Sequence, residues 1–203
     1  MIKEILELQA LAQSGLAYCE VPFDIERYQR ITEITASLLA KISYEKYEHI
    51  LELFHHERGY ATPKVDVRGA IVKGSKILLV REKVDGLWTL PGGFADINLS
   101  PADNVVKEIR EEAGFESVAK KLIGVFDKQK HHPDVKWPHI YKLLFLCELT
   151  SDIQVPFDRK EILDVAFFDR TEIPELSKER TNLLHLNLCF KHFENSNLTT
   201  YFE

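Results

Sequence analysis

Residues 91–116 read PGGFADINLSPADNVVKEIREEAGFE, and this stretch decides the reading of the chain. Ser100 is a good helix N-cap, Pro101 suits the first helical position and Asp103 lies in the first turn. Gly114 is placed to end the helix, so a helix is expected over Pro101 to Ala113. At helical spacing Ala102, Val105, Val106, Ile109 and Ala113 share a broad apolar face. Glu108, Glu111 and Glu112 lie together beside it at i,i+3 and i,i+4 spacing, where like charges repel. They also crowd the C-terminal end, where the helix dipole disfavours anions; each effect costs a few tenths to about 1 kcal/mol. A bound cation would offset that cost, since hard divalent ions take carboxylate, water and phosphate oxygens. The alternative is a solvated acidic edge, with Lys107 and Arg110 compensating and Asp103 and Lys107 paired at i,i+4.

Just before the helix, the strand-like Leu87-Trp88-Thr89-Leu90 runs into Gly92-Gly93, where backbone can approach a ligand closely. A strand, a glycine turn, a loop and a helix with three carboxylates outline a metal-phosphate site. Trp88 reads as a core residue rather than a stacking platform.

Working outward, texture changes at Pro63. Val65 to Val72 and Ile77 to Val80 flank Lys73-Gly74-Ser75 as a β-hairpin. Further strands are expected at Lys121 to Phe126, Ile140 to Leu149 and Val165 to Phe168, and a last helix from about Lys178 to Phe193. Residues 1–62 read as three helices: one striped by Ile2, Ile5, Leu6, Leu8 and Leu11, one capped by Asp24 and one capped by Ser43. The expected organisation is a small all-α domain (1–62) and an α/β domain with a mixed sheet (63–203). The small helices must find partners for their apolar faces, in the other domain or in a second copy of the chain.

The 203 residues are 45% hydrophobic and 29% charged, enough for a sizeable core in an ordinary soluble protein. A formal charge of -6 argues against general affinity for nucleic acid or an anionic membrane. Over residues 1–63, six Lys and Arg face ten Asp and Glu, the wrong balance for a helix-turn-helix DNA reader. The three cysteines, Cys19, Cys147 and Cys189, form no disulfide or metal framework, and Glu4 and Glu7 interrupt any leader-like run; a cytoplasmic protein is expected.

At residues 93–115 the sequence resembles the Nudix hydrolases. That family's motif is G, five residues, E, seven residues, then R-E-U-x-E-E-x-G-U, U being bulky and apolar. Gly93 opens it and Lys107-Glu108-Ile109-Arg110-Glu111-Glu112-Ala113-Gly114-Phe115 closes it without a gap. Two positions depart: the first glutamate falls on Leu99 and the arginine on Lys107, which keeps the charge but not the planar fork. Asp96, in the same loop, is a candidate replacement for the missing carboxylate. The helical N-terminal domain, the Lys64 to Arg68 segment, the Pro91 to Asp96 loop, Phe126-Asp127-Lys128 and His131-His132 resemble the subgroup that carries the N-terminal domain of X-linked nucleoside diphosphate hydrolases. That subgroup includes CDP-choline and ADP-ribose pyrophosphatases, and tends to lack the first motif glutamate.

The resemblance implies an α/β/α sandwich and hydrolysis of a nucleoside diphosphate linked to X, giving NMP and phospho-X. CDP-choline, ADP-ribose and nucleotide sugars are the candidate substrates. It implies Mg²⁺, with Mn²⁺ as an alternative, held by Glu108, Glu112, Glu111 and the Gly93 carbonyl. Glu111 is a further ligand or the base, and Lys107 orients the glutamates. It also implies a homodimer and a small-molecule partner. Arg68, Asp96, Lys128, His132, Glu161 and Asp164 are candidate substrate-side residues; Lys128 and His132 belong to a positive loop with Lys130, His131 and Lys136. A transition-metal site at His131-His132 is disfavoured, for lack of thiolate partners. Two rival functions remain open: a non-catalytic nucleotide sensor and an RNA-directed hydrolase.

Overall fold

In the computed structural model, which describes residues 1–131 and 138–203, the chain forms two compact units, Met1–Thr62 and Pro63–Glu203. His132 and Lys136 lie outside the described residues.

The first unit holds α1 (Ile2–Tyr18), α2 (Pro22–Ser43) and α3 (Tyr47–His56). The expected caps are corrected. Val21 caps α2 with Pro22 next to it, which places Asp24 in the first turn, where it pairs with Arg27. Ser43 closes α2, its hydroxyl donating to the Leu39 carbonyl at 2.8 Å, and Lys46 stands at the N-cap of α3. The buried face of α1 matches the predicted stripe only in part: Ile5 is buried and Ile2 and Leu6 are half-buried. Ile5, Gln9, Ala12 and Gln13 face inward, while Leu8 and Leu11 stay exposed. Small and amide side chains permit a close crossing: a Cβ on Gly15 would lie 2.5 Å from the Tyr28 ring. The Thr35 hydroxyl, fully buried, donates to Gln9 Oε1 at 2.9 Å.

The second unit is built on a mixed sheet. β1 (Lys64–Lys73) and β2 (Lys76–Glu82) form the predicted hairpin around Gly74-Ser75, with Gly74 at φ +59°. They separate after two residue pairs. β1 continues parallel to β5 (Ile140–Leu149), which pairs antiparallel with β4 (Ser117–Asp127); β4 in turn carries β7 (Tyr201–Phe202). β2 pairs antiparallel with β3 (Trp88–Thr89) and with β6 (Ile162–Asp169). Both faces are covered, which is why the strands read as unbroken apolar runs. Ala70, Val72, Ile77 and Leu79 face α6 (Leu183–Glu194) through Leu186, Cys189 and Phe190. Val67, Ile71, Leu78 and Val80 face α4 (Pro101–Glu108) and its continuation through Val105, Ile109 and Ala113. Trp88 packs edge-on against Phe168 with centroids 4.6 Å apart, as a core residue.

The predicted helix over Pro101 to Ala113 exists, but its last turn, Ile109–Ala113, is a π-helix. Ser100 caps it by accepting the Asp103 N–H at 3.1 Å. Such wide turns concentrate at functional sites. The predicted last helix starts later than expected, at Leu183, because Asn182 and His185 form a capping box there; Lys178 to Arg180 form a turn instead.

Gly114 ends the π-turn at φ +72°, and a Cβ there would lie 2.1 Å from the Val155 carbonyl oxygen. Gly114→Ala should lower the unfolding free energy by about 1–3 kcal/mol, read as a lower urea midpoint.

Candidate active-site cleft

The segment Pro91 to Ala95 runs beside β1. Gly69 N–H donates to the Pro91 carbonyl at 2.9 Å, Val67 N–H to Gly93 at 2.8 Å, and Ala95 N–H to Val65 at 2.9 Å. Gly92 adopts φ +142°, and a Cβ there would stand 2.0 Å from the Val67 oxygen, so only glycine fits. This approach aims the Gly92 N–H at Glu112 Oε2, 2.7 Å away.

Helix α4 and its π-turn rest on β1 at Gly69, where a Cβ would meet Ile109 at 2.6 Å and Val105 at 2.9 Å. The three glutamates consequently diverge. Glu112 points inward and is 7% exposed; burial pushes its carboxyl up to about 8, against the pull of Arg68 and the Gly92 N–H. Glu108 lies beside Gly93, whose Cβ would be 3.1 Å from Oε2, and burial also raises its carboxyl. Glu111 has a 53% exposed side chain held by Lys107 at 2.9 Å. Lys107 also reaches Asp96 at 3.0 Å and Glu108 at 3.7 Å, and bonding to Glu111 and Asp96 holds it well above the usual lysine range. Asn104 pins the intervening loop: its Oδ1 accepts the Asp96 N–H at 2.8 Å and its amide donates to the carbonyls of Asp96 and Ser100, both at 3.2 Å. Leu99 is exposed in that loop.

Glu108, Glu112, Gly92 and Gly93 line a cleft of about 420 Å³. Phe94, Ile140, Arg68 and Asp66 contribute to the lining, as do Lys128, Glu82, Glu161, Glu179 and Arg180. Arg68 is buried, its guanidinium 3.0 Å from Asp66 and donating to the Leu90 carbonyl at 3.2 Å. Lys142, opposite Asp66 in the β1–β5 register, is buried with its ammonium 3.7 Å from Asp66. Burial brings Lys142 down to about 7. Lys128 starts the one-turn helix α5 (Lys128–His131) after β4 and is lowered by burial; it has no hydrogen-bond or ion-pair partner among the described residues.

Several sequence candidates fall outside the lining. Glu111, Asp96 and Lys107 form the ion-paired rim just described. Asp164 sits exposed within β6, which starts earlier than expected, and its carboxylate accepts the neighbouring Val165 N–H at 2.8 Å. His131 is 2.6 Å from Glu203 and packs against Phe126. Sequence reading missed Asp66, Glu82, Lys142, Glu179 and Arg180. Asp66 and Lys142 did leave a signal, as charges interrupting apolar strands. Glu82, Glu179 and Arg180 left none, because they look like any solvated residue. Among the described residues no three His, Cys, Asp or Glu side chains form a ready-made metal cage.

Residues 63–186 match the family described as the NUDIX domain, and residues 1–54 match the one described as "UDP-X-like, N-terminal oligomerisation domain". A protein of Bacillus subtilis (strain 168) named putative ADP-ribose pyrophosphatase is 42% identical over 197 residues, 97% of this chain and 93% of its own. A solved UDP-X diphosphatase superposes with a TM-score of 0.64 at 32% identity, over 100% of this chain and 97% of its own. A solved ADP-ribose pyrophosphatase of Streptococcus suis gives 0.63 at 37% identity, over 70% of this chain and 100% of its own.

The Glu112 carboxyl holds its proton more tightly folded, at about 8, than unfolded, at 4.5. The protonated form therefore favours the fold fully below the unfolded value, and that contribution is lost as pH rises toward the folded value. In chelator, the urea midpoint should fall from pH 5 to 7, and Glu112→Gln should flatten that slope. An unchanged slope would remove Glu112 as its source.

Proposed function

The chain belongs to the Nudix hydrolase family, and from that premise we propose that it hydrolyses the pyrophosphate bond of a nucleoside diphosphate linked to X, giving NMP and phospho-X. ADP-ribose is the first substrate to try, being named for the relatives in Bacillus and Streptococcus. CDP-choline and nucleotide sugars follow. A choline head is best held by an aromatic box, and among the described residues lining the cleft Phe94 is the one aromatic side chain.

The carrying observation is that Glu108 and Glu112 share one cleft with Lys128 and Arg68. The donor set fits a hard divalent ion, Mg²⁺ or Mn²⁺. Such an ion uses one or two carboxylates and takes its other oxygens from water and substrate, so a three-carboxylate cage is unnecessary. Burial raises both carboxyls, the electrostatic deficit that a cation offsets. Glu108 and Glu112 would hold it, with Glu111 at the rim and the second lone pair of the Gly93 carbonyl, whose first accepts Val67 N–H. Bound there, the ion neutralises phosphate charge and lowers the pKa of coordinated water.

The chain's own groups do the rest. Arg68, held by Asp66, balances Glu112. Lys107 keeps Glu111 and Asp96 in place, doing with a point charge what the motif arginine does with a fork. Lys128, whose ammonium has no partner among the described residues, is offered to a phosphate oxygen. Two groups suit the proton of the attacking water: Glu111, and Glu161, which lines the cleft. Asp164 and His132 remain second-rank candidates for substrate contact.

We assign the helical unit to homodimer formation. The support is the description of its family as an oligomerisation domain and the exposed apolar side chains Leu8, Leu11, Ile34 and Leu38. Among the described residues no helix is long and apolar enough to cross a membrane.

With Mg²⁺ or Mn²⁺, ADP-ribose should yield AMP and ribose 5-phosphate, read by chromatography. Chelator should abolish the reaction, and Glu112→Gln and Glu108→Gln should each lower kcat by orders of magnitude with the fold intact. Near-normal turnover in both variants would sink the site assignment, and nucleotide binding without hydrolysis across all candidate substrates would favour a sensor. Leu38→Glu should shift the light-scattering mass from dimer toward monomer; an unchanged mass would place the interface elsewhere.

A further inference from the structure

The turn from Ser177 to Thr181, ahead of α6, is fastened on three sides. The Thr181 hydroxyl lies 2.8 Å from that of Thr89 and accepts the Leu90 N–H at 3.1 Å. Ser177 N–H donates to the Trp88 carbonyl at 2.8 Å and its hydroxyl to Asp85 at 2.7 Å. From beneath, the Lys142 ammonium donates to the Arg180 carbonyl oxygen.

That last contact is expensive. Lys142 is 2% exposed, with one carboxylate, Asp66, at 3.7 Å, and Arg68 and Lys128 oppose its charge. Desolvating an ammonium costs more than a single carboxylate at that distance returns, so a buried ion pair of this kind is weak evidence for stability. Stability alone therefore gives no account of a lysine here, whereas placement of the turn does. The turn carries Arg180 into the cleft lining. Its Nε faces Glu82 at 3.4 Å and its Nη1 faces Asp85 at 3.0 Å. Those two contacts fix the plane of the guanidinium and leave Nη2 without a partner among the described residues. A planar, oriented fork with free donors is suited to a phosphate oxygen.

We propose that Arg180 is a substrate-binding residue that takes a phosphate oxygen of the nucleoside diphosphate, and that Lys142 is the positioning residue that holds it in the cleft. This rests on the hydrolase reading above. Arg180 and Lys142 lie outside the Nudix motif, so the motif does not assign them.

The test is initial-rate kinetics on the full chain with ADP-ribose and Mg²⁺, for Arg180→Ala, Arg180→Lys, Lys142→Met, Lys142→Gln and the double variant Arg180→Ala/Lys142→Met. Arg180→Ala should raise KM about tenfold, which is about 1.4 kcal/mol, with kcat nearly unchanged. Arg180→Lys should recover part of the loss. Lys142→Met should raise KM similarly without lowering Tm, and Lys142→Gln, which keeps an N–H donor for the Arg180 carbonyl, should recover part of it. The double variant should be no worse than Arg180→Ala, because Lys142 acts through Arg180. An unchanged KM in either single variant, additive losses in the double, or a Lys142→Met that loses Tm and kcat together would overturn the proposal. Calorimetric binding of ADP-ribose in Ca²⁺ carries the same expectations for Kd. A wild type that binds but does not turn over would thus refute the hydrolase reading, and the roles of Arg180 and Lys142 would then stand or fall on the Kd values of the same variants.

Discussion

The contact on which the site depends is the close run of Pro91 to Ala95 along β1. At Gly92 the two backbones are so near that a single added carbon would overlap the Val67 oxygen. Three backbone hydrogen bonds hold the run in register. The same register exposes the Gly92 N–H to Glu112, and the glycine at position 69 lets Val105 and Ile109 press the carboxylate helix onto the same strand. Loop, strand and helix are therefore mutually fixed, and the carboxylates inherit their positions from backbone packing. This is preorganisation by scaffold rather than by side-chain choice.

Around that scaffold the cleft concentrates charge that burial disfavours. Glu112, Glu108 and Glu82 are all raised by burial, while Lys142 and Lys128 are lowered by it. Asp66 ties Arg68 and Lys142 together, and Arg180 joins Glu82 and Asp85 across the loops. Such a network is poor material for stability. It suits a site that receives a polyanion together with cations, since each side then meets its complement on binding.

The helical unit is organised by a different constraint. Where α1 meets α2 its interior mixes alanine, threonine and glutamine with Ile5 and Leu39, and the two helices approach so closely at Gly15 that a Cβ there would overlap the Tyr28 ring. Four of its larger aliphatic residues, Leu8, Leu11, Ile34 and Leu38, are left exposed. The stripe predicted from Ile2, Ile5, Leu6, Leu8 and Leu11 is split, with Ile5 turned inward and Leu8 and Leu11 outward.

The sequence by itself determined the two-part organisation expected near Pro63, the hairpin about Gly74, the capped helix from Pro101 and the family, because these are local: a turn residue, a cap, a period, a fixed spacing of glycine and glutamates. It also named Glu108, Glu112, Arg68, Lys128 and Glu161, all of which line the cleft. Tertiary structure alone decided the rest. A π-turn at Ile109–Ala113 separated Glu112, turned inward, from Glu111, left at the rim with Lys107, a distinction no heptad count contains. β5 carried Lys142 beside Asp66, and the turn before α6 brought Arg180 to Glu82, across 98 residues of chain. Local spacing encodes which face a residue occupies on its own element; which other element shares that face is set by strand pairing and packing, and those are long-range.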